Sequence, residues 1–251
     1  MSEPESIQES FVSHLIELRD RLLRSLVVIG VIFAALCIYP GAGHIYDYLA
    51  LPLTRALPEG TKMVAIGVIT PFMVPLKVTG MVALMLSMPY LLFQVWGFIA
   101  PGLYDHEKRL GIPLIVSSTV LFAVGVAFAY FFVFGQLFAF IRQFAPTSVT
   151  PSPDIEAYLS FVMTMFLAFG LAFEVPVALV VLVKLGVVSI EKLKEWRSYF
   201  IVGAFVVAAV VTPPDAVSQL ALAIPMCLLY EVGILFARMV SKPRPDPITQ
   251  D

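Results

Sequence analysis

The sequence predicts an all-α membrane protein that crosses the bilayer several times. Three observations indicate this fold class: 59% of the 251 residues are apolar, the mean hydropathy is +0.92, and the charged residues lie between long apolar runs. A soluble domain contains fewer apolar residues and carries charges along most of its helices. The formal net charge of −2 gives no indication of a nucleic acid partner.

Six apolar runs are interpreted as transmembrane helices, and their even number places both chain ends on the same side of the membrane. The runs cover residues 22–39, 72–100, 112–140, 158–185, 199–211 and 216–236. We therefore expect a single integral membrane domain, with a cytoplasmic amphipathic N-terminal segment (1–21), a six-helix transmembrane core (22–238) and a short cytoplasmic tail (239–251).

The distribution of basic residues gives the orientation. They fall almost entirely in alternate polar segments, which is the pattern of the positive-inside rule. The cytoplasmic set is Arg19, Arg21, Arg24, Lys108, Arg109, Lys184, Lys192, Lys194, Arg197, Arg238, Lys242 and Arg244, and the opposite side has Arg55, Lys62 and Arg142. Both termini are therefore predicted to be cytoplasmic.

The first elements along the chain are an amphipathic helix and the first span. Apolar residues recur every three or four positions from Ile7 to Leu22, which predicts a helix lying at the cytoplasmic interface before the first span. The run 22–39 is longer than the roughly 7–15 apolar residues of a cleaved signal peptide, so we expect it to be retained. Gly41 to Thr70 is expected to be a long outer loop that packs as a cap.

Turn residues predict most helix boundaries. Pro40 and Gly41 end the first helix, and Ser152 followed by Pro153 has the form of an N-cap and first position of the fourth. Ser189 is expected to cap a short basic helix. Prolines inside the apolar runs predict bent spans that enclose a concave groove.

The fifth and sixth helices are predicted to form a short hairpin, because only Thr212 to Asp215 separates them. The fifth offers about 14 apolar residues, or about 21 Å, against a hydrocarbon core of about 30 Å. We expect thinned lipid beside this hairpin. The alternative is that the fifth helix continues into Arg197 and Ser198.

Glu174 lies near the middle of the fourth helix, two residues before Pro176. A charged side chain there costs about 2.5–3.5 kcal/mol unless it faces water, a partner or a polar cavity. A protonated Glu174 that hydrogen-bonds near the proline kink is the open alternative. Gln219 and Glu231 interrupt the sixth helix, and Glu231 is expected to reach toward Arg238 or the interface.

Two cytoplasmic carboxylates, Glu17 and Glu107, lie in short charged runs. Taken alone, each is an ordinary exposed residue, and Glu17 has an i,i+4 partner in Arg21. The runs around them, in this order, resemble the TatC family, the receptor core of the bacterial twin-arginine protein translocase. The resembling runs are residues 14–19 (HLIELR), 98–104 (FIAPGLY), 106–108 (HEK), 158–163 (YLSFVM), 169–176 (FGLAFEVP), 203–207 (GAFVV) and 212–215 (TPPD).

This resemblance implies that Glu17 and Glu107 receive the paired arginines of a signal peptide, with Arg19, Phe98 and Tyr104 bordering the site. Two guanidinium groups match two carboxylates in number and charge. Arginine also offers a planar fork of donors that lysine lacks. Replacing arginine by lysine in the signal peptide is therefore expected to weaken binding.

The resemblance also places Glu174 in a concave face that receives the apolar part of the signal peptide, with Gln219 and Asp215 nearby. It implies single-span TatA-type and TatB-type subunits docking near helices five and six, a homo-oligomer within the complex, and the bacterial inner membrane as location. The implied role is that of a non-enzymatic receptor without cofactors, which nucleates the export complex. The proton-motive force is the expected energy source, because the chain contains no G-x-x-x-x-G-K-[ST] phosphate loop.

Two other functional classes are alternatives. A secondary transporter would hold a small solute at the bilayer midplane, usually between repeated halves, and the sequence has no recognisable repeat. An intramembrane enzyme would use His14 with Glu17, or His106 with Glu107, as metal ligands. No H-E-x-x-H run supports such a site, so no metal is predicted.

Overall fold

A computed structural model describes residues 3–56, 63–99, 111–144, 152–212 and 215–240, and nearly all of them are helical. The α-helices are α1 (Glu3–Ile38), α2 (Ala42–Ala56), α3 (Thr70–Leu86), α4 (Met88–Ile99), α5 (Gly111–Phe128), α6 (Phe134–Phe144), α7 (Ile155–Phe173), α8 (Val175–Lys184), α9 (Ile190–Glu195), α10 (Arg197–Val211) and α11 (Ala216–Val240). A π-helical turn, Ala129–Val133, joins α5 to α6. Within the described ranges the only extended pairing is a bridge between Val64 and Asp154, so the all-helical prediction is confirmed.

Four helical stretches are long and apolar enough to cross a membrane: Val12–Ile38, Gly111–Ile141, Ile155–Lys184 and Ala216–Val240. The pair α3 and α4 makes a fifth if its two bent halves form one span, and α10 is a shorter apolar helix. The chain is therefore a multi-pass membrane protein, as the composition predicts. The total of six crossings and the cytoplasmic position of both termini stay predictions.

The N-terminal amphipathic segment and the first span form one continuous helix of 36 residues, α1. The apolar pattern predicts two separate elements, but no proline or glycine lies between Glu5 and Ile29 to break the helix. The helix ends at Ile38, directly before Pro40 and Gly41, where the turn residues predict its end. Gly41 has a φ of +94°, a conformation that favours glycine.

The expected outer loop after α1 contains a helix, α2, so its description as a loop is wrong. Leu49 and Ile45 of α2 pack against Val74 and Val78 of α3, two residues with no exposed surface. The hydroxyl of Tyr158 also donates to the Leu49 carbonyl at 2.9 Å. These partners lie far from α2 in sequence, which is why local composition did not predict the helix.

Prolines bend the spans at two places. α3 and α4 meet at Ser87 with a bend of 50°, because Pro89 cannot donate to the carbonyl four residues earlier and its ring clashes with that group. The Ser87 hydroxyl donates to the Ala83 carbonyl at 2.6 Å at the bend. The fourth predicted span is likewise divided into α7 and α8 at Glu174, with Pro176 in the first turn of α8. The concave groove expected from these bends stays a prediction.

One predicted helix cap is confirmed and another is wrong. The Ser189 hydroxyl accepts from the Lys192 amide at 3.2 Å and caps α9, as predicted. The cap of α7 is Asp154 in place of Ser152: its carboxylate accepts from the Ala157 amide at 3.1 Å. The Val64 amide and carbonyl bond the residues on either side of Asp154, and this contact shifts the helix start beyond Pro153.

The described chain divides into two compact units. The first comprises residues 1–120 and 134–163, in which α1 packs on α3 and α4, and α2 packs on α3 and α6. The second comprises residues 121–133 and 164–251, in which α11 packs on α8, α9 and α10. The single membrane domain expected from the sequence stays a prediction.

The hairpin of α10 and α11 is short on one side. α10 has 15 residues, which corresponds to about 22 Å against a hydrocarbon core of about 30 Å. It begins at Arg197, so the alternative in which the helix continues into Arg197 and Ser198 is correct. Glu231 pairs with Arg197 at 2.7 Å, which takes the place of the expected partner Arg238, and the alternative that Glu231 reaches toward the interface stays a prediction.

Glycines allow close helix contact in the second unit. A Cβ atom at Gly125 would lie 2.5 Å from the Phe169 carbonyl oxygen, which is closer than real Cβ atoms approach backbone. Small residues at such crossings let membrane helices pack through their backbones. Gly135 has no neighbouring atom within 4 Å of the same position and provides a matched control.

We predict that Gly125→Leu lowers the stability of the protein by about 1–3 kcal/mol or prevents its accumulation, because the side chain has no space between the helices. The midpoint of thermal unfolding in detergent measures this change. Gly135→Leu is expected to leave the midpoint nearly unchanged. Equal midpoints for both variants would contradict the packing described here.

Candidate functional site

Glu17 lies at the contact between α1 and the end of α4. Its Oε1 atom accepts hydrogen bonds from Arg21, at 2.6 Å from one terminal nitrogen and 2.9 Å from Nε. Its Oε2 atom lies 3.8 Å from His14 Nδ1. The Glu17 side chain keeps about a third of its surface exposed. It is therefore held in place from one side and accessible from the other.

Arg21 connects Glu17 to α4. Its guanidinium donates to the Gln94 side-chain oxygen at 3.1 Å and to the Gly97 carbonyl at 2.9 Å. Gly97 lies in the last turn of α4, where carbonyls have no partner within the helix and the helix dipole favours a cation. The amide nitrogen of Gln94 in turn donates to the Tyr90 hydroxyl at 2.6 Å.

Gly97 lets Arg21 approach the α4 backbone closely. A Cβ atom at Gly97 would overlap the end of the Arg21 side chain, so a larger residue there would force the guanidinium to shift. Gln94 is buried and Arg21 is partly buried, so water has limited access to the bonds between them. The guanidinium and the absent side chain at Gly97 therefore both contribute to the contact between α1 and α4.

Phe98, one of the predicted site residues, contacts His14, the histidine that lies 3.8 Å from the same carboxylate. Its ring centroid is 4.7 Å from that of His14, and His14 lies one helical turn before Glu17. Arg19 has a different position: its guanidinium pairs with the neighbouring Asp20 at 2.9 Å, and both side chains are exposed. Glu17 and Phe98 are thus brought together, and Arg19 is engaged elsewhere on α1.

The remaining predicted residues of this candidate site, Glu107 and Tyr104, lie outside the described residues, which stop at Ile99 and resume at Gly111. Their place beside Glu17 stays a prediction. Metal chemistry gains no support from the described part of the chain, which holds no cluster of three or more histidine, cysteine, aspartate or glutamate side chains.

Glu174 lies at the junction of α7 and α8, inside the stretch long enough to span the membrane. Its amide donates to the Leu171 carbonyl at 3.1 Å and its carbonyl accepts from Ala178 at 2.9 Å. Its side chain is half-buried, and the Oε1 atom is buried. The carboxyl group therefore lies at a helix break caused by Pro176, as the sequence predicts.

Asp215 and Gln219 both stabilise the hairpin. Asp215 Oδ1 accepts from the Ser218 amide at 2.7 Å, so Asp215 caps the N terminus of α11. The Gln219 side chain donates to the Phe205 carbonyl of α10 at 3.4 Å. Each residue thus has a structural role at this position, in addition to the role implied by resemblance.

Comparison with known proteins identifies the family of this chain. The family model of the Sec-independent protein translocase protein (TatC) matches residues 13–225. The chain belongs to the TatC family. The TatC-family protein of Escherichia coli (strain K12) is 52% identical over 230 residues, which cover 92% of this chain and 88% of that protein. The relative from Haemophilus influenzae is 49% identical over 92% of this chain and 89% of its own length.

Solved structures agree with this assignment. A crystal structure of a twin-arginine translocase receptor, TatC, matches with a TM-score of 0.77 at 38% identity, and the match covers 90% of this chain and 98% of that one. A second structure of a TatC receptor, in the detergent DDM, matches with a TM-score of 0.79. Membership of the TatC family makes this chain a component of a protein translocase complex, with a transport role and no enzymatic one.

The sequence alone does not assign Arg21 and Gln94 to the candidate site. It gives Arg21 only as an i,i+4 partner of Glu17, and that spacing is the signal that it holds the carboxylate. Gln94 is 73 positions from Arg21 in the chain, and no local pattern connects them. Only the packing of α1 on α4 reveals the pair.

We predict an energetic coupling between Arg21 and Gln94. Because the two side chains are in direct contact and Gln94 is buried, the double variant Arg21→Ala/Gln94→Ala is expected to lose about 0.5–3 kcal/mol less stability than the sum of the single variants. Unfolding by SDS titration measures the three free energies. Arg24, an exposed arginine of α1, is the control, and Arg24→Ala is expected to be additive with Gln94→Ala. Additivity for Arg21 would disprove the coupling.

A separate prediction concerns the cap of α11. Asp215→Ala is expected to destabilise the protein by about 0.5–2 kcal/mol, because the Ser218 amide loses its acceptor. Asp215→Asn retains an oxygen acceptor and is expected to lose only a fraction of that amount. The same SDS titration compares them. A loss as large for asparagine as for alanine would assign Asp215 a role that depends on its charge.

Proposed function

We propose that this TatC-family chain is the membrane receptor of a twin-arginine translocase and that it binds signal peptides at Glu17 and Glu107. The observation that carries this proposal is the Glu17 carboxylate, which is fixed by Arg21 and still accessible. The signal peptide supplies two adjacent guanidinium groups, and each requires a carboxylate held in a defined geometry. Binding of folded cargo through this peptide then nucleates the export complex.

The geometry at Glu17 suits a guanidinium ligand. Both Arg21 bonds use Oε1, so Oε2 offers its lone pairs to an incoming group. A guanidinium presents five N–H donors in a plane, whereas the lysine ammonium is a compact charge on a flexible stem. Phe98 borders the same position and offers a ring on which a planar cation can stack. Specificity for arginine over lysine follows from these shapes.

The family assignment supports a role for Glu107, which lies outside the described residues. Glu107 belongs to the run HEK at residues 106–108, one of the runs that resemble TatC, and the TatC family model matches residues 13–225. A second carboxylate is also what a ligand with two guanidinium groups requires.

The rest of the proposed mechanism concerns the membrane-embedded part of the chain. The apolar segment of the signal peptide lies along a concave face that contains Glu174, with Gln219 and Asp215 nearby. Single-span subunits of the TatA and TatB type dock near α10 and α11, and several copies of the chain assemble in the complex. The bacterial inner membrane is the site of action, and the proton-motive force supplies the energy.

The carboxylate variants test this proposal. Glu17→Gln and Glu107→Gln keep the side-chain shape and remove the charge, so crosslinking of a photoreactive twin-arginine peptide to the purified protein is expected to fall at least about tenfold in the double variant, as for loss of charge-assisted hydrogen bonds. The unmodified protein is expected to crosslink a twin-lysine peptide as weakly as the double variant crosslinks the twin-arginine peptide.

Asp20→Asn is the matched control, because Asp20 is an exposed carboxylate of the same helix that pairs with Arg19. Its crosslinking is expected to equal that of the unmodified protein. Full crosslinking by the Glu17→Gln/Glu107→Gln variant would refute the proposed site. Competition by an unlabelled peptide separates specific from adventitious crosslinks.

A further inference from the structure

An apolar groove lies between α8, α9, α10 and α11, within the second unit. Its volume is about 510 Å³, and every residue that lines it is apolar or aromatic apart from the glycine Gly203. Leu193 and Tyr230 form its buried floor, while Trp196 and Tyr199 at one end are exposed. Such a groove on a membrane protein faces lipid tails or another apolar ligand.

The dimensions of the groove favour a hydrocarbon chain over a helix. Its α10 wall runs from Trp196 to Val207, a length of about 17 Å at about 1.5 Å per residue. A volume of about 510 Å³ spread over that length gives a cross-section smaller than that of a helix, which with its side chains is about 10–12 Å wide. The length also matches one leaflet, which is half of a hydrocarbon core of about 30 Å.

Charge at the exposed end indicates the headgroup. Residues 184–197 carry four basic and two acidic side chains. At about 100° per residue, Lys192 lies on the same helical face as Trp196, Phe200 and Gly203. The backbone bonds from Trp196 to Lys192 and from Phe200 to Trp196, at 2.9 and 2.8 Å, make this face continuous across the junction of α9 and α10.

Three acidic residues, Glu191, Glu195 and Glu231, accompany the four basic residues near this end, so its net charge stays positive by one. Glu231 follows Tyr230 of the groove floor, and its carboxylate is paired with Arg197 at 2.7 Å. Trp196 and Tyr199 have the amphipathic rings that collect at the membrane interface. The groove is apolar and about one leaflet long, and its exposed end carries basic and aromatic side chains. These features are complementary to an amphipathic molecule with an apolar chain and an anionic headgroup.

We propose that this groove is a binding site for an anionic phospholipid, with one acyl chain between α8, α10 and α11 and the phosphate beside Lys192. The site is separate from the proposed peptide site on α1 and α4, so its test does not depend on signal-peptide binding. The bound lipid fills the space beside the short helix α10, where the protein is too short to span the bilayer unaided.

Tryptophan fluorescence tests the proposal, because the chain has only 2 tryptophans and Trp196 lines the groove. The full chain with Trp96→Phe is reconstituted into vesicles that contain phosphatidylglycerol or phosphatidylcholine brominated near the carbonyl end of the acyl chains. We expect Trp196 quenching to report about fivefold tighter binding of phosphatidylglycerol, the effect of one lysine near an anionic headgroup.

Two variants with matched controls make the test specific. Lys192→Gln is expected to remove the preference for phosphatidylglycerol, whereas Lys194→Gln, on the opposite face of α9, is expected to change it less than about twofold. Gly203→Leu places a side chain in the groove, where no atom lies within 4 Å of a Cβ at this position, and is expected to reduce quenching by both lipids. Gly30→Leu on α1, with equal space, is expected to have no effect.

Equal quenching by the two lipids overturns the proposal, since it is the result for a surface that meets bulk lipid or a partner helix. Equal effects of Lys192→Gln and Lys194→Gln overturn the assignment of the headgroup. Should Gly203→Leu fail to fold, the lysine pair still decides the outcome, because both lysines are exposed and their replacement leaves the packing intact.

Discussion

Hydrocarbon offers no hydrogen-bond partner to a peptide group, and this constraint accounts for most of the structure. A helix satisfies its own backbone except at its ends and at prolines, so side chains with donors collect at those places. Arg21 binds the Gly97 carbonyl at the end of α4, Tyr230 binds the Leu193 carbonyl in α9, and Ser87 binds a carbonyl at the bend between α3 and α4. These polar side chains are thus explained first by the backbone carbonyls whose hydrogen bonds they complete.

The same constraint shapes the candidate peptide site. The Glu17 side chain is only about a third exposed, and Arg21 replaces part of the lost hydration of its carboxylate with two charge-assisted bonds. Because Arg21 is itself bonded to α4, the Glu17 carboxylate has less conformational freedom than a carboxylate that contacts only water. A receptor for guanidinium groups benefits from this order, since the entropy of fixing the acceptor is lost before the ligand arrives. Arg21 therefore pre-organises the Glu17 carboxylate through Oε1 and makes no hydrogen bond to Oε2.

Much of the fold followed from the sequence. Apolar runs predicted the long helices, turn residues predicted the end of α1 and the Ser189 cap, and Pro176 predicted the break at Glu174, because these signals act between residues close in the chain. The prediction failed for α2, whose apolar residues acquire partners only from α3, and for the α7 cap, which the contact with Val64 moves to Asp154. At the site, Glu17 and Phe98 were found through resemblance, whereas Gln94 was not.

Hydropathy and charge along the chain determined that this protein lies in a membrane, and ordered runs of residues determined its family. The hydropathy pattern and the family runs each depend on residues close together in the chain, because the free energies of transfer into lipid and of helix capping are set by local sequence. The tertiary structure alone decided that Arg21 meets Gln94 and Gly97, that Glu231 pairs with Arg197, and that four helices enclose a narrow apolar groove. These contacts join residues distant in sequence, so their energies depend on helix packing that no single segment specifies.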